Sequence, residues 1–460
     1  MLDDVVLAGV RVLGGPPSDV ELRGGRITAV RAAGTSGAAL TRVAGTGLVM
    51  LPALVDLHTH LREPGDEEAE TIASGTRAAA AGGYSDVFAM ANCSPVTDSP
   101  GRVRHIAETA ARTASCRVHP VGAITLRLEG QDLAPLTAMA DAGARMFSDD
   151  GRCVDDPAIL LDALTTSRAA GTVIAQHAQC GSLAPSGQIN AGPAADRTGL
   201  PPWPAVAEET IVARDVVFAG ATGARLHICH VSTAGTVEIL RCAKQRGWPV
   251  TAEVTPHHLL LTDEQAAAGD TIHKVNPPLR SAADVVALRA ALLDGTIDAV
   301  ATDHAPHPAR RKGTGWCDAA FGMLGLETAL AVVAEVLGEG GEPDWSLIAD
   351  AMSHRPARIG GIDAIAGRPL TPGEPATFTL VDPNANWTVD PTEHQSLSAN
   401  TPFAHFRFRH RVVATVVESR VTADHCGLLA APGSAALRDA PPRHRANGAR
   451  DHLSYPGRNC

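Results

Sequence analysis

From an apolar run that starts at Gly47 and ends at His58, the chain alternates short apolar runs with alanine-rich helical stretches up to residue 301, and few folds accept that pattern. Runs at 86–90, 117–121, 144–147, 173–175, 225–229, 250–254 and 297–301 follow an earlier one that ends at His58. Each has the length and β-branched content of a buried strand. The stretches 69–81, 159–168, 206–219, 236–246 and 282–293 are long enough for helices. Strand then helix, repeated, builds parallel βα units, because a parallel neighbour is reached only through a crossover. Eight such runs fit a closed (β/α)8 TIM-like barrel. An open doubly wound sheet is the alternative, slightly weakened by the lack of GxGxxG after the first run.

The two ends read differently. Residues 1–50 hold short β-branched runs bounded by Gly, at 5–9 and 26–30, and strand-like runs return at 376–381 and 411–417. We expect these groups to pair into a small β-sandwich domain formed by both ends, 1–50 and 365–430, beside a barrel at 51–364. Residues 431–460 carry Pro, Gly, Arg and Ala without periodicity and read as a disordered tail.

Composition excludes several functions. Of 460 residues, 45% are hydrophobic and 19% charged, enough apolar content for a large core. A net charge of -11 argues against a nucleic-acid surface. No apolar run is long enough to span a bilayer. Met1-Leu2-Asp3-Asp4 lacks the basic start of a signal peptide, and the nine cysteines are scattered without a CxxC pair, so a cytoplasmic setting is expected.

The strongest local signal is Asp56-Leu57-His58-Thr59-His60 at the end of the first run. Residues i and i+2 of a strand share a face, so His58 and His60 project together, and imidazole is a common zinc ligand. The C-terminal rim of a barrel is where such enzymes do chemistry. Later runs end in Asp149-Asp150, His177, His230 and Asp303-His304. Four His and two carboxylates suffice for two metal ions, each with an open position. Adjacent strand residues face opposite ways, so only one of Asp149 and Asp150 is expected at the metals.

Taken together, the motifs resemble the dihydroorotase family, in its bacterial type I branch of the amidohydrolase superfamily. They are Asp56-Leu57-His58-Thr59-His60-Leu61-Arg62-Glu63-Pro64-Gly65, Ala89-Met90-Ala91-Asn92, His230-Val231-Ser232-Thr233, Thr251-Ala252-Glu253-Val254-Thr255-Pro256-His257-His258, Asn276-Pro277-Pro278-Leu279-Arg280 and Ala301-Thr302-Asp303-His304-Ala305-Pro306-His307. The resemblance implies a binuclear zinc centre. His58 and His60 would hold one ion, His177 and His230 the other, with Asp150 bridging and Asp303 serving as ligand and acid/base. Arg62, Asn92, Asn276, His307, Phe321 and Gly322 would bind substrate. His257-His258 read as structural. The chain has no Lys before Lys244, so the carbamylated Lys that bridges metals in many relatives cannot form, and Asp150 is the consistent bridge.

The implied reaction is reversible hydrolysis of L-dihydroorotate to N-carbamoyl-L-aspartate, a step of pyrimidine biosynthesis. The implied partners are that small molecule, an aspartate carbamoyltransferase and further copies of the chain. Two rivals stand beside it: a hydantoinase- or allantoinase-like cyclic amide hydrolase, and an inactive scaffold for aspartate carbamoyltransferase. Gln179, Cys93, Ala320 and the basic run Ala309-Arg310-Arg311-Lys312 depart from the family pattern. The Gly-containing stretch 309–320 reads as a mobile lid.

Overall fold

The computed structural model describes residues 2–37, 40–339 and 341–429; the expected tail, 431–460, lies outside them. Eight short strands form the central unit: β1 (Leu54–Thr59), β2 (Tyr84–Ala89), β3 (Arg117–Pro120), β4 (Met146–Phe147), β5 (Val173–Gln176), β6 (Leu226–Ile228), β7 (Val250–Val254) and β8 (Ala299–Val300). Neighbours pair in parallel from β1 to β3 and from β4 to β8. Two bridges turn these arcs into a ring. Gly122 pairs with Phe147 between β3 and β4, and Thr59 pairs with His304 between β8 and β1. The His60 N–H donates to the His304 carbonyl at 2.9 Å across that second seam. The sheet is therefore a closed barrel rather than an open doubly wound sheet. At the first seam a Cβ on residue 122 would sit 2.7 Å from the Phe147 ring, so only glycine lets β3 and β4 meet.

The helices lie where the alanine-rich stretches indicated, at Ile72–Ala81, Pro157–Ala170, Val206–Thr222, Ala234–Gln245 and Ala282–Asp294. A further helix, Pro100–Thr113, connects β2 to β3. Thr71, Asp156, Thr233 and Ser281 accept hydrogen bonds from otherwise unpaired N–H groups at helix starts. Inside the ring, Val55, Leu57, Phe88, Met146, Val173 and Ala299 fill the space, and Ala357, Ile359 and Ile362 pack against them. The interior is a core, which leaves the strand ends as the place for polar groups.

Strands from both ends of the chain share one eight-stranded sheet. Phe378–Asp382 pairs antiparallel with Val49–Pro52 on one side and with Arg411–Val417 on the other. Leu7, Leu22, Met50, Phe378, Leu380 and Val416 form its own apolar core. Arg117 ties it to the barrel, pairing with Asp86 at 2.8 Å and with Glu418 at 2.9 Å. Among the described residues no helix is long and apolar enough to cross a membrane.

Phe378→Ala removes a fully buried ring from the sheet that joins the two ends. It is expected to cost about 3–5 kcal/mol, read as an earlier transition in urea. An unchanged midpoint would contradict this account of the sheet.

Candidate metal and substrate site

The six residues read from the sequence as metal ligands meet at the C-terminal rim. Asp150 lies at the centre. Its carboxylate oxygens are 3.2 Å from His58 Nε2, 3.4 Å from His60 Nε2, 3.3 Å from His177 Nδ1 and 3.4 Å from His230 Nε2. Asp303 Oδ1 completes the cluster, 3.0 Å from His60 Nε2 and 3.5 Å from His58 Nε2. His230 and Asp303 both have positive φ, at 32° and 46°, where the chain leaves β6 and β8 and turns these side chains into the site.

Each imidazole is aimed by a group behind it. His58 Nδ1 bonds Glu253 Oε1 at 2.8 Å, and the other oxygen of Glu253 bonds His227 Nε2 at 3.0 Å. His60 Nδ1 meets Asn92 Oδ1 at 2.9 Å, and His177 Nε2 meets Gln179 Oε1 at 2.8 Å. Such backing fixes which nitrogen faces the site. Burial alone would raise the Glu253 carboxyl, but the imidazoles of His227 and His58 bring it down to about 2. Burial likewise opposes ionisation of Asp150, yet the charge of His58 and the bonds from His177 and His230 hold it well below the usual carboxylate range.

The donors fit a metal. His58 Nε2 and Asp150 Oδ1 are buried without a hydrogen-bond partner. His177 Nδ1 and His230 Nε2 face each other at 2.8 Å, an arrangement of two ring nitrogens that a shared cation satisfies. Two overlapping groups have ligand atoms close enough for one ion, His58 with His60 and Asp303, and His58 with Asp150 and His230. Behind them, Cys229 and Glu253 make a third such group with His58.

Asp149 points away, as expected for one member of the pair. Its carboxylate accepts from the Ile124 N–H at 2.7 Å, from the Thr125 N–H at 3.0 Å and from the Thr125 hydroxyl. Of the expected substrate residues, Arg62 and His307 are adjacent, with Arg62 Nη2 3.5 Å from His307 Nε2. His307 Nε2 donates to the Phe321 carbonyl at 2.7 Å. Burial and the Arg62 charge push its imidazole down to about 3, which keeps the ring neutral. Asn276 Nδ2 donates to Gln179 Oε1 at 3.0 Å. Asn92 stands behind His60 and also donates to the Asp150 carbonyl at 3.4 Å.

Sequence reasoning assigned no role to Glu253, Gln179 or Asn400. Glu253 carried a usable signal, a carboxylate inside an apolar strand. Asn400 carried none. It accepts from the His307 N–H at 3.0 Å and donates to the Ala305 carbonyl at 3.0 Å from far along the chain. Of the adjacent pair His257-His258, His258 is fully bonded, to Thr255 Oγ1 at 2.8 Å and the Pro277 carbonyl at 3.1 Å. His257 Nε2 is buried without a partner.

The chain is similar to known proteins in sequence and in fold. Residues 47–236 match the family described as Dihydro-orotase-like. A dihydroorotase of Streptomyces coelicolor is 51% identical over 425 residues, covering 92% of this chain and 98% of the relative. A dihydroorotase of Mycobacterium tuberculosis is 52% identical over 381 residues, 82% of this chain and 88% of the relative. Among solved structures, the L-hydantoinase (dihydropyrimidinase) of Arthrobacter aurescens superposes with a TM-score of 0.82 at 25% identity, covering 92% and 97% of the two chains. The dihydropyrimidinase of Brevibacillus agri shares the fold, with a TM-score of 0.78 at 20% identity over 92% and 95% of the two chains.

The two adjacent aspartates should separate in experiment. Asp150→Asn is expected to lose bound metal, measured by atomic absorption, with the fold kept. Asp149→Ala is expected to keep metal and lose stability, about 1–3 kcal/mol for each buried donor left unpaired. Full metal content in Asp150→Asn would contradict the geometry.

Proposed function

Since this chain belongs to the dihydroorotase family, we propose that it opens and closes the cyclic amide ring of dihydroorotate at the barrel rim, with N-carbamoyl-aspartate as the open form. The observation that carries the reading is the convergence of four imidazoles and two aspartates on one point. An inactive scaffold has no need of that arrangement.

We assign two zinc ions to the cluster, because its donors are mainly imidazole nitrogens with two carboxylates. His58 and His60 would hold one, His177 and His230 the other, Asp150 would bridge them, and Asp303 would complete the set. When bound, the metals supply Lewis acidity toward the ring carbonyl and make water more acidic. The protein supplies the proton path and the orientation. Asp303 takes the proton from the attacking water and delivers it to the ring nitrogen as the C–N bond breaks. The new C–O bond leaves a carboxylate, and the reverse sequence closes the ring. Glu253, Asn92 and Gln179 keep the imidazoles aimed throughout.

Arg62 would bind the ring carboxylate, because a guanidinium offers two parallel donors to a carboxylate. Its Nε is already engaged by the Pro306 carbonyl at 3.3 Å, which fixes the plane of the fork. Asn276, His307, Phe321 and Gly322 would surround the rest of the ring. A homo-oligomer, an aspartate carbamoyltransferase partner and a cytoplasmic setting belong to the same proposal on the strength of the family.

The direct test is steady-state hydrolysis of L-dihydroorotate by the metal-loaded protein. Turnover is expected, and its absence alongside hydantoin hydrolysis would favour a hydantoinase instead. Arg62→Met is expected to raise KM for dihydroorotate about a hundredfold. Hydantoin has no ring carboxylate, so any hydantoin turnover should change little. Equal losses on both substrates would remove Arg62 from carboxylate recognition.

A further inference from the structure

The basic run Ala309-Arg310-Arg311-Lys312 departs from the family pattern, and the structure shows what it touches. Lys312 is 5% exposed, and its ammonium donates to three backbone carbonyls, Lys274 at 3.0 Å, Ala320 at 3.0 Å and Gly322 at 3.1 Å. We propose that Lys312 is a positioning residue that shapes the substrate-facing loops, holding 274–276 and 320–322 against each other through those three oxygens. The inference rests on the reading that Asn276, Phe321 and Gly322 bind the ring.

The surroundings point the same way. The Gly322 N–H donates to the Lys274 carbonyl at 3.0 Å, so the two segments also touch directly. The Lys274 ammonium donates to the Trp316 carbonyl at 2.6 Å and lies 4.3 Å over the Phe321 ring. Gly322 has a φ of 131°, and its missing side chain leaves room for His307 Nε2. Outside, Arg311 pairs with Asp66 and Arg310 with Glu68, which fastens the run to the segment that follows Arg62. The stretch read as a mobile lid is thus pinned at its base from two sides.

The residue type matters. This chain carries almost all its positive charge on Arg and has Lys only at 244, 274 and 312. A compact ammonium directs three donors to oxygens that do not share a plane, whereas a guanidinium is flat. All three of these bonds go to carbonyl dipoles and none to a carboxylate. A buried cation whose hydrogen bonds all go to dipoles is costly, even with the charge of Asp270 nearby, so the arrangement serves geometry better than stability. Burial and the nearby charge of Lys274 bring the amine down to about 7, consistent with that cost.

The test compares metal-loaded Lys312→Met, Lys312→Arg and Asn276→Ala with the unaltered protein. Lys312→Met is expected to raise KM for L-dihydroorotate about tenfold or more, with kcat within about threefold and metal content unchanged. Amide hydrogen exchange should quicken at 320–322 and 274–276 and stay unchanged in the barrel strands. Lys312→Arg should not restore KM. If Lys312→Met does not fold, Lys312→Gln, which keeps a donor group, is read in the same way. Native KM with native exchange in a folded variant would overturn the proposal. Native KM in Asn276→Ala would overturn the substrate reading instead, and the exchange data would then decide for or against Lys312 as the group that shapes the loops.

Discussion

A carboxylate within 3.5 Å of four imidazole nitrogens, all buried, is the constraint around which the barrel rim is arranged. Charges removed from water must be paired, or their burial costs several kcal/mol per ion. Asp150 is paired through rings that come from β1, from the end of β5 and from the turn after β6. Those strands reach the same point only in a closed ring. Closure in turn depends on the bridge at Thr59 and His304, one residue from His60 and one from Asp303. Fold and site are therefore one piece of geometry: the contact that shuts the barrel also brings together the ends of β1 and β8 that carry His60 and Asp303.

Much of this was legible in the sequence because it rests on short-range rules. The HxH pair was readable because strand periodicity puts i and i+2 on one face. Only one of Asp149 and Asp150 was expected at the cluster, and Asp149 does turn away to bind the N–H groups of Ile124 and Thr125. The helix positions followed from length and alanine content. What could not be read depends on contacts between distant segments. Asn400 reaches His307 from a loop outside the barrel pattern. The anchoring of Lys312 joins residues 274, 312 and 320–322, and no local periodicity announces that meeting. The Gly-containing stretch suggested a lid for the same reason. Composition shows flexibility of the chain, whereas the fastening comes from two ammonium groups and two ion pairs.

The departures from the family pattern become intelligible at the same level. The basic run 309–312 faces Asp66 and Glu68, so its charge has a complement across the rim. Exposed pairs of this kind add little stability. Their value lies in register, since they set which part of one loop meets which part of the other.

Gln179 is the departure closest to the chemistry. Its single Oε1 atom takes bonds from both His177 Nε2 and Asn276 Nδ2, so one amide oxygen joins the histidine cluster to the loop that carries Asn276. A carboxylate could make the same two bonds. It would also add a negative charge to the rim, across the His177 ring from Asp150. Like charges in a low-dielectric pocket repel strongly. The amide keeps the two orienting bonds without that repulsion.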